Sequence, residues 1–269
     1  MPRKLLLAAL LAAAAGCQTV QTTQPGAVGV DRPQSMLVSS REVNDSAAKA
    51  YHQLLAGAEK KGQVNKDAAQ LARIRRVAQR LVPQTAAFRP DAPGWQWEVN
   101  LIDAKDVNAW VMPGGKIAFY QGLLDKLKPS DDEIAAVMGH EIAHALREHG
   151  RERASQAMAQ GIALSIVGAV AGVSRGGMDL TQLVLNVTLN LPNSREHETE
   201  ADRIGVELAA RAGYDPRAAI LVWEKMSQLG GGQSPEILST HPAPTTRIAD
   251  LQVYAARVLP LYEEAKARP

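Results

Sequence analysis

The tightest constraint in this sequence is His140-Glu141-Ile142-Ala143-His144, because two imidazoles four residues apart converge on one point when the backbone between them is helical. The flanks agree. Ser130 with Glu133 forms a capping box, and a helix is predicted over residues 131–149, ended by Gly150. Two neutral ring nitrogens on one helix face, with a carboxylate beside the first, are what a catalytic zinc needs: imidazoles to bind the cation and Glu141 as general base toward water. Such a site also requires a third protein ligand and one position open to water.

Candidates for the third ligand lie in the segment from Ser194 to Asp202. Glu198, Asp202 and Gly205 share one helical face at spacings of four and three, so a ligating carboxylate would have a second carboxylate one turn on. That second group can hydrogen-bond the far nitrogen of a ligand histidine and fix its tautomer. Gly205 would let this helix approach its neighbour closely. Spacing alone leaves Glu196, His197 and Glu200 as rivals for the metal.

Aromatic residues make up only 4% of a chain that is 46% hydrophobic, which favours helices over a β-sandwich. We expect a mainly α fold with a small β-sheet (α+β). Helices are predicted over about 44–61, 66–82, 152–173, 194–211, 216–229 and 244–265. A strand is predicted over 95–102, and a hairpin over 109–112 and 116–120 turns at Pro113-Gly114-Gly115. No internal repeat is evident. Lys and Arg number 30 against 28 Asp and Glu, and loss of Arg3 and Lys4 with a leader would balance them, which argues against a nucleic-acid partner.

The N-terminus reads as a secretory signal: Arg3 and Lys4, an apolar run from Leu5 to Ala15, then small residues before Cys17. Ala14-Ala15-Gly16-Cys17 resembles a bacterial lipoprotein box, which implies cleavage after residue 16 and lipidation of Cys17, and Gln18 implies sorting to the outer membrane of a Gram-negative bacterium. Two or more acyl chains give stable anchoring. The expected organisation is a signal peptide at 1–16, a flexible tether rich in Gln, Thr, Ser, Pro and Gly at 17–40, and one catalytic domain at 41–269. Arg153 and Arg175 bracket an uncharged stretch whose most apolar part, 162–173, is too short to span a bilayer, so it reads as a buried or lid-forming helix. Whether residues 152–193 form a lid is left open.

The HEIAH motif together with Ser194-Arg195-x-x-Glu198-x-Glu200-Ala201-Asp202-x-x-Gly205 resembles the gluzincin metallopeptidases of the CAAX prenyl protease and HtpX type, metallopeptidase family forty-eight. The soluble periplasmic branch is the more similar one. The likeness extends over roughly 40–260, through Asn108 to Ile117, Gly122-Leu123-Leu124, Ala212 to Pro216, Ser239 to Pro242 and Arg247. It implies a zincin-like domain with one Zn2+ per chain on His140, His144 and Glu198. Glu141 would be the base and Asp202 a hydrogen-bond partner of a ligand. Asn108, Ala109 and Trp110 would lie on the edge strand that pairs with an extended substrate. His241 matches a histidine near the metal, either a fourth ligand in a resting state or a stabiliser of the oxyanion. Arg247 reads equally as a simple carboxylate partner. His149 reads as a helix-end residue without a metal role, and His52 and His197 as surface residues.

The function expected from these readings is a zinc endopeptidase, anchored by lipid and facing the periplasm, that cleaves unfolded or misassembled envelope proteins. Some members carry C-terminal helical repeats that contact the outer-membrane assembly machinery; no such repeats are expected here, and that machinery stays a candidate partner only. The rival reading is a chaperone-like lipoprotein that holds outer-membrane proteins, with a silent or structural zinc.

Overall fold

The computed structural model describes residues 18–170, 179–229, 236–241 and 246–267. The expected signal peptide, Cys17 and the glycine run at 230–232 lie outside the described residues. The fold is the mainly helical α+β arrangement that the composition predicts. A two-stranded ribbon opens it, β1 (Gln18–Val20) antiparallel to β2 (Gln34–Met36). Helices α1 (Ser40–Glu59) and α2 (Ala68–Leu81) follow, then strands β3 (Glu98–Ile102), β4 (Ala109–Met112) and β5 (Lys116–Tyr120). Next come α3 (Gln121–Leu127), α4 (Asp131–Leu146), α5 (His149–Val170) and α6 (Leu180–Leu185), the last running into a π-helical turn at Asn186–Asn190. Helices α7 (Arg195–Arg211), α8 (Ala218–Gln228), α9 (Glu236–Thr240) and α10 (Arg247–Ala267) complete the described chain.

The three-stranded sheet has the order β3-β5-β4, parallel between β3 and β5 and antiparallel between β5 and β4. Side chains alternate between two cores, as the period of a strand requires. Trp110, Met112 and Ala118 pack with Val43, Ala47 and Tyr51 of α1, while Ala109, Val111, Ile117 and Phe119 join the main core with α2, α4 and α7. Tyr51 Oη donates to Ile117 O at 2.9 Å and tethers α1 to the central strand. Because both faces are covered, every residue of β4 is buried.

Several predicted boundaries move, for identifiable reasons. Helix α4 keeps its capping box at Ser130 and Glu133 but ends at Leu146 rather than His149, since Glu148 adopts φ 51° and turns the chain. The strand expected from residue 95 starts at Glu98, because Trp95 and Trp97 stack on each other and Trp97 Nε1 donates to Ala92 O.

The expected flexible tether over 17–40 needs correction across its described part. Val28, Val30, Gln34 and Met36 are buried, and Arg32 reaches the body with hydrogen bonds of 2.7 Å to Glu152 and Glu200. Polar composition suggests solvated coil, but here the polar side chains satisfy buried charges of the domain. Among the described residues no helix is long and apolar enough to cross a membrane.

Candidate active site

Helices α4 and α7 carry the site and pack closely along their lengths. Gly139 and Gly205 lie at the contact, where the absence of side chains brings the two backbones together. The approach presents His140 and His144 from α4 to Glu198 and Asp202 from α7. His241, just after α9, closes the group from above, and Arg247 at the start of α10 closes it from the side.

Four donor side chains converge, with one ligand atom from each lying within 4.8 Å of the others. His140 Nε2 lies 3.1 Å from His144 Nε2, 3.2 Å from His241 Nδ1 and 3.5 Å from Glu198 Oε2. Glu198 Oε1 is 3.4 Å from His144 Nε2 and 2.9 Å from His241 Nδ1. A tetrahedron with metal-to-nitrogen distances of ~2.0–2.1 Å has edges of about 3.3 Å, close to these separations. Three imidazoles and a carboxylate are a zinc-type donor set, so the residues present fit the cation that the motif implies. Buried acid also demands positive charge here: although burial opposes charging, Asp202 and Glu198 push His140 up to about 9. Glu198 is held well below the usual carboxylate range despite its burial, by His241, His140 and His144.

Behind these donors each ring is fixed. His140 Nδ1 lies 2.9 Å from Asp202 Oδ1, the contact expected from the spacing of Glu198 and Asp202. Arg247 Nη2 donates to the same Oδ1 at 2.6 Å, its Nη1 lies 3.3 Å from Glu198 Oε2, and its guanidinium stacks 3.4 Å over Trp223. The rivals for the metal point elsewhere: Glu200 turns to Arg147 and Arg32, His197 to Glu152, and Glu196 is largely exposed.

Glu141 is buried beside the cluster. Its Oε1 has no hydrogen-bond partner and lies 3.4 Å from His241 Nε2, and burial pushes its carboxyl up. A cavity of about 30 Å³, room for a water or two, opens against Glu141, His144 and His241 and is bounded by Trp110, Pro113 and Arg153. Asn108, Ala109 and Trp110 are all buried, on or just before the edge strand β4. The π-helical turn after α6 packs against β4, and Val184 of α6 is buried with Trp110 and Met112.

Two histidines differ from the sequence reading. His149 and His197 are both buried, stacked with ring centroids 4.2 Å apart, and His149 Nδ1 lies 2.8 Å from His144 Nδ1. Nothing in the spacing announced this, because a residue five positions on in an unbroken helix points about 140° away. His52 is exposed, as expected.

The model of peptidase family M48 matches residues 68–255. The chain belongs to peptidase family M48. Among its M48 relatives, the mitochondrial metalloendopeptidase OMA1 of Saccharomyces cerevisiae is 35% identical over 180 residues, 64% of this chain and 51% of that protein. The bovine mitochondrial metalloendopeptidase OMA1 is 33% identical over 66% of this chain and 37% of its own length. The β-barrel assembly-enhancing protease of Escherichia coli K12 is 30% identical over 60% of this chain and 35% of its own length. The aligned regions thus span about a third to a half of these relatives. The M48 assignment agrees with the resemblance drawn from HEIAH and the α7 motif.

Proposed function

We propose that this protein is a zinc endopeptidase that cleaves extended segments of unfolded or misassembled cell-envelope proteins, tethered through lipidated Cys17 at the periplasmic face of an outer membrane. The observation that carries the reading is the convergence of His140 Nε2, His144 Nε2 and Glu198 with the buried Glu141 beside them. The relatives support both parts, as metalloendopeptidases and, in one case, as a β-barrel assembly-enhancing protease.

His140, His144 and Glu198 would hold the zinc. When bound, the cation supplies Lewis acidity, acidifying water and polarising a peptide carbonyl. Glu141 takes the proton of the attacking water and passes it to the amine nitrogen as the peptide bond breaks. Its burial suits that task, since a carboxylate stripped of water is a stronger base. Asp202 and Arg247 keep His140 in the tautomer that leaves Nε2 free. An extended peptide adding to β4 would be read through its main chain, with loose sequence preference. His241 Nδ1 lies 3.2 Å from His140 Nε2 and the segment from α6 into the π-helical turn packs against β4, so on this reading both would yield to a substrate.

That closed arrangement also keeps a second reading in play, a holding protein whose metal site is silent. Zinc content and cleavage of casein by wild type, Glu141→Gln and His241→Ala separate the two. One zinc per chain, cleavage lost in Glu141→Gln and kept or raised in His241→Ala support the peptidase. Bound zinc without cleavage by any variant overturns it in favour of holding.

A further inference from the structure

The polar residues packed behind His144 form a continuous chain that the catalytic scheme leaves unused. His144 Nδ1 meets His149 Nδ1 at 2.8 Å, and His149 Nε2 meets Glu200 Oε2 at 2.9 Å. Glu200 accepts from Arg147 Nε at 3.0 Å and from Arg32 Nε at 2.7 Å. Arg32 Nη1 also donates to Glu152 Oε1 at 2.7 Å, and Glu152 Oε2 lies 3.1 Å from Nε2 of His197, the ring stacked on His149.

The protons in this chain have one consistent arrangement. If His144 offers the lone pair of Nε2 to a cation, its proton sits on Nδ1 and is donated to His149 Nδ1. His149 then carries its own proton on Nε2 and donates it to Glu200, an ionised acceptor balanced by two guanidiniums. Asp202 does the same for His140 in a single step. Both candidate ligand rings therefore end on a carboxylate, one directly and one through a second imidazole.

The backbone is built for this contact. Helix α4 breaks at Arg147 and Glu148, and the turn at Glu148 swings His149 back beside His144. The N-terminal arm finishes the arrangement. Arg147 is fully buried, its Nη1 lies 3.2 Å from both Thr22 and Thr23 Oγ1, and its Nη2 donates to Arg32 O at 2.8 Å. Gln34 Nε2 donates to Arg147 O at 2.8 Å.

We propose that His149 is a positioning residue for the metal ligand His144, that Glu200 sets the tautomer of His149, and that the N-terminal arm completes this support through Arg32. The proposal rests on the reading of His144 as a ligand. It makes the segment following the expected lipidation site a working part of the metal centre.

The test measures zinc affinity by chelator competition on the full chain in detergent, with the melting temperature of each zinc-free form and the visible spectrum of each Co2+ form. His149→Leu removes the acceptor and is expected to weaken zinc binding about 10–100-fold and shift the Co2+ bands. His149→Asn, whose amide oxygen can accept near the position of Nδ1, should recover most of the affinity. Arg32→Gln should weaken binding about 3–10-fold, and Arg73→Gln, whose partner Asp131 lies outside this network, should leave it unchanged. Affinity within twofold of wild type in His149→Leu, or equal losses in the Leu and Asn variants, overturns the role of His149. Unchanged affinity in Arg32→Gln overturns the role of the arm. Should His149→Leu fail to fold, His149→Ala, which removes the same acceptor, takes its place with the same expected and overturning results. A wild type that binds no zinc overturns instead the reading on which the proposal rests.

Discussion

Gly139 and Gly205 face each other where α4 meets α7, so closely that a Cβ on Gly205 would lie 2.8 Å from the backbone nitrogen of His140. A Cβ on Gly139 would lie 2.8 Å from Gly205 O. These contacts are backbone on backbone and have no flexible side chain to give way. Gly205→Ala is therefore expected to cost about 1–3 kcal/mol as the helices separate. At ~2–4 °C per kcal/mol, calorimetry should show a fall of roughly 2–12 °C. Zinc affinity should fall with it, because the separation moves Glu198 away from His140 and His144. Full affinity in a folded Gly205→Ala protein would contradict this.

Glu141 touches none of the four converging donors through a hydrogen bond, so its replacement separates chemistry from binding. Glu141→Gln should retain one zinc per chain and lose at least about 10²–10⁴-fold in cleavage rate. Parallel metal analysis and fluorogenic peptide hydrolysis check both.

Arg247 balances two buried carboxylates, Asp202 and Glu198. Arg247→Met leaves only histidines to balance them and should destabilise the zinc-free protein by about 3–5 kcal/mol. Zinc should offset part of this, because a dication beside Glu198 replaces the charge lost with the guanidinium. Thermal melts with zinc and with chelator should show a larger zinc-induced rise for the variant than for wild type.

Away from the metal, Glu148 is held below the usual carboxylate range: burial opposes this, but hydrogen bonds from Arg151 and Arg89 prevail. Asp91 is lowered as well, chiefly by its hydrogen bond from Arg89. A carboxylate with a depressed folded pKa stabilises above its unfolded value, ~4.3 for Glu, and that stability is lost as pH falls through the folded value. Glu148→Gln should thus destabilise by roughly 2 kcal/mol at pH 7. The gap to wild type should narrow from about pH 5 downward as pH falls through the depressed folded value. Urea unfolding across that range measures it, and a gap that stays constant would refute the assignment.

Much of the site was legible because its signals are local. The capping box at Ser130 and Glu133 fixes where α4 starts, the four-residue spacing of His140 and His144 fixes a shared face, and the same logic pairs Glu198 with Asp202 on α7. The hairpin was legible through Pro113-Gly114-Gly115, where Gly114 and Gly115 take φ 81° and 87°. These features depend on residues within one or two turns of each other.

Local pattern along the chain thus suffices for the helical scaffold, the metal-type donor set and the family likeness. Among Glu196, His197, Glu198 and Glu200 spacing left the choice open and only the family likeness pointed to Glu198; the packing of α7 on α4 is what turns Glu198 toward His140 and His144, since charged residues on one helix are equivalent until a partner surface selects a face. Tertiary structure also decided that His149, buried by a turn at Glu148, lies against His144, and that Arg32, more than a hundred residues from Glu200 in the chain, neutralises it. Burial and charge balance arise only when distant segments meet, and no local pattern encodes that meeting.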